Sequence, residues 1–277
     1  MARPFVSLLT DFGLRDPSAA ICRGVVLGIT PDAEIVDISH EVRKYAIRDG
    51  ALLLWCALPF FPVGAHVAVV DPGVGTARRP ITLKVARGDY LVGPDNGLLL
   101  MAADKLGGVE AAVELQNPAY RLPVVSTSFH GRDIFAPAAA YLALGVPFDR
   151  LGPSIDPASL VRLPIPEPRV TPGTLETHVV YVDTFGNVKL TALAPALREA
   201  LGDVPFGTPV ELELRPAAAA ARTVLATWAA TFGAVGPGAP LLYEDSYGRL
   251  CLAVNQGDAA ATLGLTEDLA VSIRRAG

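Results

Sequence analysis

An α/β domain built on a mostly parallel sheet, followed by a smaller all-β domain, is the architecture this sequence predicts. Three observations carry that expectation. Through the first half of the chain, short apolar strands alternate with stretches whose apolar residues recur at helical spacing, the pattern of a parallel sheet covered by helices. Around Gly152 the texture changes to a proline-rich segment holding Pro153, Pro157, Pro164, Pro166, Pro168 and Pro172, which reads as an extended linker. Beyond it the apolar runs become short and alternating, with turn residues roughly every dozen positions, as in a small barrel or sandwich. The expected boundaries are 1–152 for the first domain, 153–172 for the linker and 173–277 for the second domain.

Taken in order, "PFVSLLTDFG" is a first strand ending at Asp11. "DPSAAICRGVVLGITP" is a helix stopped by Pro31. "AEIVDIS", "AIRDGALLLWCAL" and "HVAVVD" continue as strand, helix and strand. "ITLKVA" and "DYLVGPDNG" form a hairpin through Arg87, Gly88 and Asp89, and helices are expected over 97–106 and "DIFAPAAAYLALG". In the second half the strands are expected in "TLETHVVYVDTFGNVKLTAL", "TPVELELR", "ARTVLATW", "PLLYEDSYGRLCLAVNQG" and "DLAVSIRR". No internal repeat is evident, and the one low-complexity tract is "PAAAAAR".

The totals narrow the function. Of 277 residues 51% are hydrophobic and 18% charged, enough apolar material for two cores. A net charge of -5 without a basic run argues against a nucleic-acid or anionic-membrane partner. Cys22, Cys56 and Cys251 lie far apart without CxxC spacing, as expected of reduced core thiols in a cytoplasmic protein. The longest apolar region, "ALLLWCALPFFPVGAHVAVV", is interrupted by Pro59, Pro62, Gly64 and His66, so it reads as helix, turn and strand and not as a membrane span. The opening "MARPFVSLLTDFG" reaches an acid too early for a secretory signal.

Polar residues gather where strands end: Asp11, Asp71, and Asp95 with Asn96. In an open α/β sheet that edge is where ligands bind, although an Asp in such a place also serves as a helix cap or Asx turn. The stretch "HVAVVDPGVGTARRPI" is the most telling. A buried strand delivers Asp71, breaks into a Gly-rich turn, and returns Arg78 and Arg79 towards it. A turn accounts for the glycines and the proline; it does not account for pairing Asp71 with Arg78. "STSFHGRDIFAP" adds His130, with Asp133 reading as the cap of the following helix. A lone histidine is more often structural than catalytic. His40, His66, His130 and His178 show neither HxH nor HExxH spacing, so no metal site is expected. Gly73 and Gly75 leave a dinucleotide fingerprint incomplete, the P-loop pattern is missing, and Ser128 and Ser246 lack a GxSxG elbow. In the second domain "YVDTFGNVKL" brings Asp183, Phe185 and Asn187 together, an acid, an aromatic face and an amide that suit an amine, an adenine face and an adenine edge. "YEDSYGRLCLAVNQG" adds Ser246, Tyr247 and Asn255. For both stretches a hairpin turn is the plain alternative.

Together, "LLTDFG", "DISHEV", "VAVVDPGVGTARR", "GPDNG", "FHGRDIFAP", "VDTFGNV" and "SYGRL", in this order along nearly the whole chain, resemble the S-adenosyl-L-methionine (SAM) hydroxide adenosyltransferases, or SAM hydrolases, relatives of the SAM-dependent fluorinase and chlorinase. The resemblance implies an α/β N-terminal domain and a C-terminal β-barrel, a homotrimer with sites shared between subunits, and no cofactor, SAM being the substrate and adenosine a product. It implies an Asp71, Arg78 and His130 triad holding an attacking water. It places Asp11 on the ribose hydroxyls, Tyr45 over the ribose, and Asp16 and Ser18 beside the methionine moiety. Asp183 falls on the methionine ammonium, Phe185 and Phe232 on the adenine face, Asn187 and Asn255 on its edge, and Ser246 and Tyr247 at the methionine carboxylate. Two departures touch the methionine end: Ser18 and Ala20 replace an aromatic and a glycine of many relatives, and Tyr247 replaces an arginine of the halogenases.

Three other functions fit parts of the sequence. A SAM halogenase needs a halide pocket stripped of charge, which Asp71 and His130 disfavour. A metal-dependent phosphohydrolase would draw on Asp11, Asp71, Asp95 and His130. A SAM- or adenosine-binding sensor would bind without turnover.

Overall fold

The computed structural model describes residues 3–216 and 220–277. The chain forms two compact units, Met1–Leu163 and Pro164–Gly277. The proline-rich segment is divided between them: the strand Ser154–Ile155 joins the sheet of the first unit, and Arg169–Thr171 joins that of the second.

The first unit contains β1 (Phe5–Thr10), α1 (Ser18–Ile29), β2 (Glu34–Ser39), α2 (Ile47–Ala57), β3 (Ala65–Val69), β4 (Pro80–Val85), β5 (Tyr90–Pro94), α3 (Leu100–Lys105), β6 (Val109–Glu114), α4 (Ala136–Ala143) and β7 (Ser154–Ile155). They build a seven-stranded sheet in the order β2-β1-β3-β5-β4-β6-β7. The strands that alternate with helices pair in parallel, β2 with β1, β1 with β3 and β3 with β5. β4 is the hairpin partner of β5 and must run against it, so the three remaining pairings are antiparallel and the sheet is mixed. Helices cover both faces. Alternation along β1 sends Leu8 to the face packed by Val26 of α1 and Ala139 of α4, and Leu9 to the face packed by Leu54 of α2 and Leu98.

This order sets the functional edge. β1, β3 and β5 are neighbours running in the same direction, so the segments after them, carrying Asp11, Asp71 and Asp95, emerge side by side.

The second unit contains β8 (Arg169–Thr171), β9 (Thr174–Val182), β10 (Val188–Leu193), α5 (Ala194–Leu201), β11 (Pro209–Arg215), β12 (Arg222–Trp228), β13 (Pro240–Glu244), β14 (Arg249–Val254), α6 (Ala259–Leu263) and β15 (Ala270–Arg275). Seven strands close in the order β10-β14-β13-β12-β11-β15-β9, with β9 pairing back onto β10 and β8 appended to β9. This is the barrel, and closure removes the exposed edges an open sheet would leave. Its interior is a continuous core including Leu190, Leu212, Leu252 and Ile273. The sequence reading passed over α5, although Pro195 in its first turn and the buried Ala194, Leu197, Ala200 and Leu201 carry the helical signature. The tract "PAAAAAR" falls partly on residues 217–219, outside the described residues. Among the described residues no helix is long and apolar enough to cross a membrane.

Candidate active site

The loop after β3 turns back tightly enough to fold Arg78 onto Asp71. Thr76 Oγ1 donates to the Gly73 carbonyl at 2.7 Å and accepts from the Arg78 backbone N–H at 3.3 Å. Gly75 sits at φ 77°, and a Cβ there would come within 2.3 Å of the Thr127 carbonyl oxygen. Only glycine lets this loop lie against the loop that leads to His130. Arg78 Nε donates to Asp71 Oδ1 at 3.2 Å and Arg78 Nη2 bonds Asp71 Oδ2, a two-point clamp. Both side chains are almost fully buried, with 4% of Asp71 and 7% of Arg78 exposed. The guanidinium also lies over the Phe135 ring, 5.4 Å from its centroid.

Arg78 Nη2 reaches a third group, His130 Nδ1, at 3.1 Å. Arginine has no acceptor, so Nδ1 must be the acceptor. A neutral imidazole accepting at Nδ1 carries its proton on Nε2. Burial, and then the neighbouring charge of Arg78, hold His130 below its ordinary range, outweighing the attraction of Asp71 and Asp133. The ring is therefore neutral near pH 7, with Nε2–H as a donor.

His130 precedes a single π-helical turn, Gly131–Phe135, which runs into α4. Such turns recur at functional sites. Asp133, expected as a helix cap, is instead wholly buried inside this turn. It pairs with Arg132 and accepts from both Ser126 N and Ser126 Oγ at 2.8 Å. It thus ties down the loop before His130, a positioning task that a capping assignment misses.

The segment after β2 braces the segment after β1. His40 Nδ1 lies 2.8 Å from Thr10 Oγ1, which accepts from Phe12 N at 3.2 Å, while Gly13 N donates to the His40 carbonyl at 2.7 Å. Tyr45 N donates to Asp11 Oδ2 at 2.9 Å. Tyr45 adopts φ 67° and is 71% exposed, leaving its ring at the surface beside Asp11. Together Asp11, Phe12, Tyr45, Asp71, Phe129 and His130 line a cavity of about 180 Å³. That is room for a nucleophile and a reacting centre and less than a whole nucleoside-sized ligand needs.

Asp95 does not join them. Arg79 Nε holds Asp95 Oδ2 at 2.9 Å and Val161 N holds Oδ1 at 2.9 Å, which makes it a structural clasp. Among the described residues no group of three or more His, Cys, Asp or Glu side chains is placed to hold a metal ion.

The larger cavity, about 850 Å³, lies in the barrel unit, within the range of small-molecule sites. Its wall includes Asp183, Phe185, Asn187, Phe232, Ser246 and Tyr247, all expected from sequence, and also Lys189, Tyr243, Asp245, Gln256 and Asp258, which were not. Asp183 Oδ1 accepts from Phe185 N and Asn187 N, both at 2.9 Å, so the acid shapes the turn that presents Phe185, 78% exposed. Gly186 is at φ 78°, and a Cβ there would fall 2.1 Å from Asp258 Oδ1. Phe232 leans on Tyr243 with ring centroids 4.9 Å apart.

Comparison with known proteins bears directly on these two cavities. The model of the SAM hydroxide adenosyltransferase N-terminal domain matches residues 6–152, and that of the C-terminal domain matches residues 177–272. The chain belongs to the SAM hydroxide adenosyltransferase family. It is similar to the (R)-S-adenosyl-L-methionine hydrolase of Salinispora tropica, 46% identical over 95% of each chain, and to that of Thermus thermophilus, 40% identical over 97% of this chain and 98% of the relative. A fluorinase of an Actinoplanes species is more distant, 28% identical over 99% of this chain and 98% of the relative. A solved structure of an uncharacterized conserved protein from Thermotoga maritima superposes with a TM-score of 0.90, at 35% identity over 98% of this chain and 100% of that one.

Set beside the SAM hydroxide adenosyltransferase pattern, four expected residues line neither cavity. Arg78 reaches the smaller one only through Asp71 and His130. Asp16 is exposed and Ser18 half-buried at the start of α1. Asn255 is buried, and its Nδ2 donates to the Val235 carbonyl at 2.7 Å, a bond that fixes the loop holding Phe232. Asp245, the acid paired with Lys189, is not evident from sequence because "YEDSYG" reads as a hairpin turn, which it also is: Asp245 Oδ1 accepts from Tyr247 N and Arg249 N at 2.9 Å.

Proposed function

We propose that this protein hydrolyses SAM to adenosine and L-methionine by in-line displacement at the C5′ carbon. The observation that carries the proposal is the Arg78 guanidinium joining Asp71 to His130, both of which line the smaller cavity. The names of the relatives support the same substrate. A sulfonium is already a good leaving group, so the chemistry needs no acid at sulfur. It needs a better nucleophile than bulk water. With both carboxylate oxygens clamped by Arg78, each keeps a second lone pair, and Asp71 can accept a proton of a water at the cavity wall. His130 faces the same cavity with Nε2–H, which donates to the oxygen of that water and fixes its direction. His130 is thus the orienting donor and Asp71 the proton acceptor. For His130 to take the proton at Nε2 it would need its own proton on Nδ1, pointing at an Arg78 N–H. As the oxygen bonds to C5′ the C5′–S bond breaks, methionine departs as a neutral thioether, and the proton leaves through Asp71 to solvent.

A halide in place of that water would meet the Asp71 carboxylate in a poorly screened site, which favours water as the nucleophile. SAM is larger than the smaller cavity, so we assign its bulk to the barrel cavity: Asp183 towards the ammonium, Phe185 and Phe232 towards the adenine. We extend the proposal to a cytoplasmic homotrimer whose sites draw on more than one subunit, working without metal or other cofactor and without a nucleic-acid partner. The test is turnover of SAM in oxygen-18 water with EDTA present. Adenosine labelled at its 5′-hydroxyl, with methionine in equal amount, is expected. Unlabelled adenosine, or activity abolished by EDTA, would overturn displacement by a metal-free water. Mixing Asp71→Asn with Asp183→Ala subunits should restore activity if sites are shared; no recovery after verified exchange would overturn that part.

A further inference from the structure

We infer that the Lys189 ammonium holds the methionine carboxylate of the substrate, an assignment that rests on SAM being what the barrel cavity receives. The charge on the cavity wall is one-sided. Asp183, Asp245 and Asp258 line it, and among its described residues Lys189 is the one Lys or Arg. An amino-acid carboxylate entering beside three acids in a partly desolvated cavity is repelled unless a cation meets it. Tyr247, at the turn where the substrate carboxylate is expected, brings no charge of its own.

Lys189 is built into that turn. It stands on β10 with its side chain 11% exposed, and its Nζ lies 2.5 Å from Asp245 Oδ2. The same Asp245 receives the backbone N–H groups of Tyr247 and Arg249 on its other oxygen. Nζ also lies 5.2 Å from the centroid of the Tyr247 ring. Asp245 and Tyr247 therefore hold the ammonium against the turn that contains Ser246, on the wall of the same cavity. Burial opposes ionisation of Asp245, but the Lys189 contact and the two backbone donors hold it below the usual carboxylate range, so the pair is ionic. An ammonium presents three donors in a tetrahedron, so one can serve Asp245 while the charge also serves a ligand. The other two acids have local tasks: Asp183 holds its own turn, and Asp258 caps α6 through Ala261 N at 2.7 Å.

The experiment is a cycle between one side chain and one substrate group. Wild type, Lys189→Met, Lys189→Gln and Lys189→Arg are each assayed with SAM and with decarboxylated SAM, which lacks only the carboxylate, and binding of both is measured by calorimetry. Wild type should prefer SAM. Lys189→Met should lose about tenfold or more in kcat/KM for SAM, through KM, with little change for decarboxylated SAM. Lys189→Arg should keep most of the preference. Lys189→Gln, which retains a hydrogen bond to Asp245, should lose it as Lys189→Met does, and it decides the matter should the Met variant fold poorly. Equal weakening of both substrates would show a purely structural ion pair and overturn the assignment. Persistence of the full preference in Lys189→Met or Lys189→Gln would overturn it too. If wild type turns over SAM but the cycle shows no coupling, only the role of Lys189 falls. If wild type neither binds nor turns over SAM, the proposed function falls first.

Discussion

Two aspartates leave the ends of neighbouring strands, and two consecutive arginines reach back to them, yet the two pairs do different work. Asp71 and Arg78 meet with both side chains nearly buried, and Arg78 passes on to His130 at a cavity wall. Asp95 and Arg79 meet as closely, but every further partner is structural: Val161 N on the acid, and the Ser159 hydroxyl and carbonyl on the arginine. Asp95 is as buried as Asp71, with 4% of its side chain exposed. Residue type, burial of the acid and pairing are thus shared, while Arg79 is more exposed than Arg78. What separates the pair proposed to act on the nucleophile from the clasp is the third partner and whether an open space adjoins it.

The largest expected effect sharpens that contrast. We predict that Asp71→Asn lowers kcat by roughly 10²- to 10⁴-fold, the range of a lost general base, while SAM affinity changes little; thermal stability falls as well, because the amide leaves the buried Arg78 charge unpaired and turns a donor towards an Arg78 N–H. Single-turnover rates with calorimetric binding check it; a collapse of affinity with an intact chemical step would reverse the assigned role. Asp95→Ala is the mirror case. It strips the Arg79 guanidinium and Val161 N–H of their acceptor and should cost about 3 kcal/mol in denaturant unfolding, with kcat per folded molecule nearly unchanged. An Asp95→Ala protein that is stable but inactive would put Asp95 in the chemistry after all.

The difference between the pairs also marks how far the sequence could be read. The strands and most helices follow from periodicity, because Leu8 and Leu9 must go to opposite faces and α1, α2 and α4 must cover them. The run from Asp71 to Arg78 was legible because a strand end, a glycine turn and a returning cation are all local. Asp95 looked equally like a ligand from sequence, since its partner Val161, and the Ser159 that holds Arg79, lie more than sixty residues away. Lys189 and Asp245 were missed for the same reason: 56 positions separate them, and only barrel closure brings them together. The π-helical turn after His130 has no periodic signature, so Asp133 read as a cap when it is a clamp.

The arginines should separate more gently than the acids. Arg78→Lys keeps a charge but cannot clamp two carboxylate oxygens and also reach His130 Nδ1. A fall of about tenfold in kcat is expected, with KM close to wild type. Arg79→Lys should cost about 1 kcal/mol of stability and leave kcat alone, since its guanidinium is partly exposed and its partners are structural. If Arg78→Lys matched wild type, the bridge between Asp71 and His130 would be incidental.

The smallest effect is a shift with pH, and it tests the assigned proton on His130. Burial and the Arg78 charge lower its pKa below the ordinary value of about 6.5, so the folded protein keeps the ring neutral where a free histidine is already half charged. Stability should therefore begin to erode as pH falls below about 6.5, where the unfolded chain takes up the proton first, and the loss should level off only below the folded value. Activity should hold through pH 6.5 and decline only at lower pH, because a proton on Nδ1 would face the Arg78 N–H and break the bridge. The measurement is kcat/KM against pH for wild type and for His130→Gln, which offers a donor and an acceptor but does not titrate. His130→Gln should be slower at every pH and should lack that acid limb. An acid limb retained in His130→Gln would assign the titration to another group. A wild-type limb centred above 6.5 would mean that Asp71 outweighs Arg78 at the imidazole, and His130 would then be a charged partner and not a neutral donor.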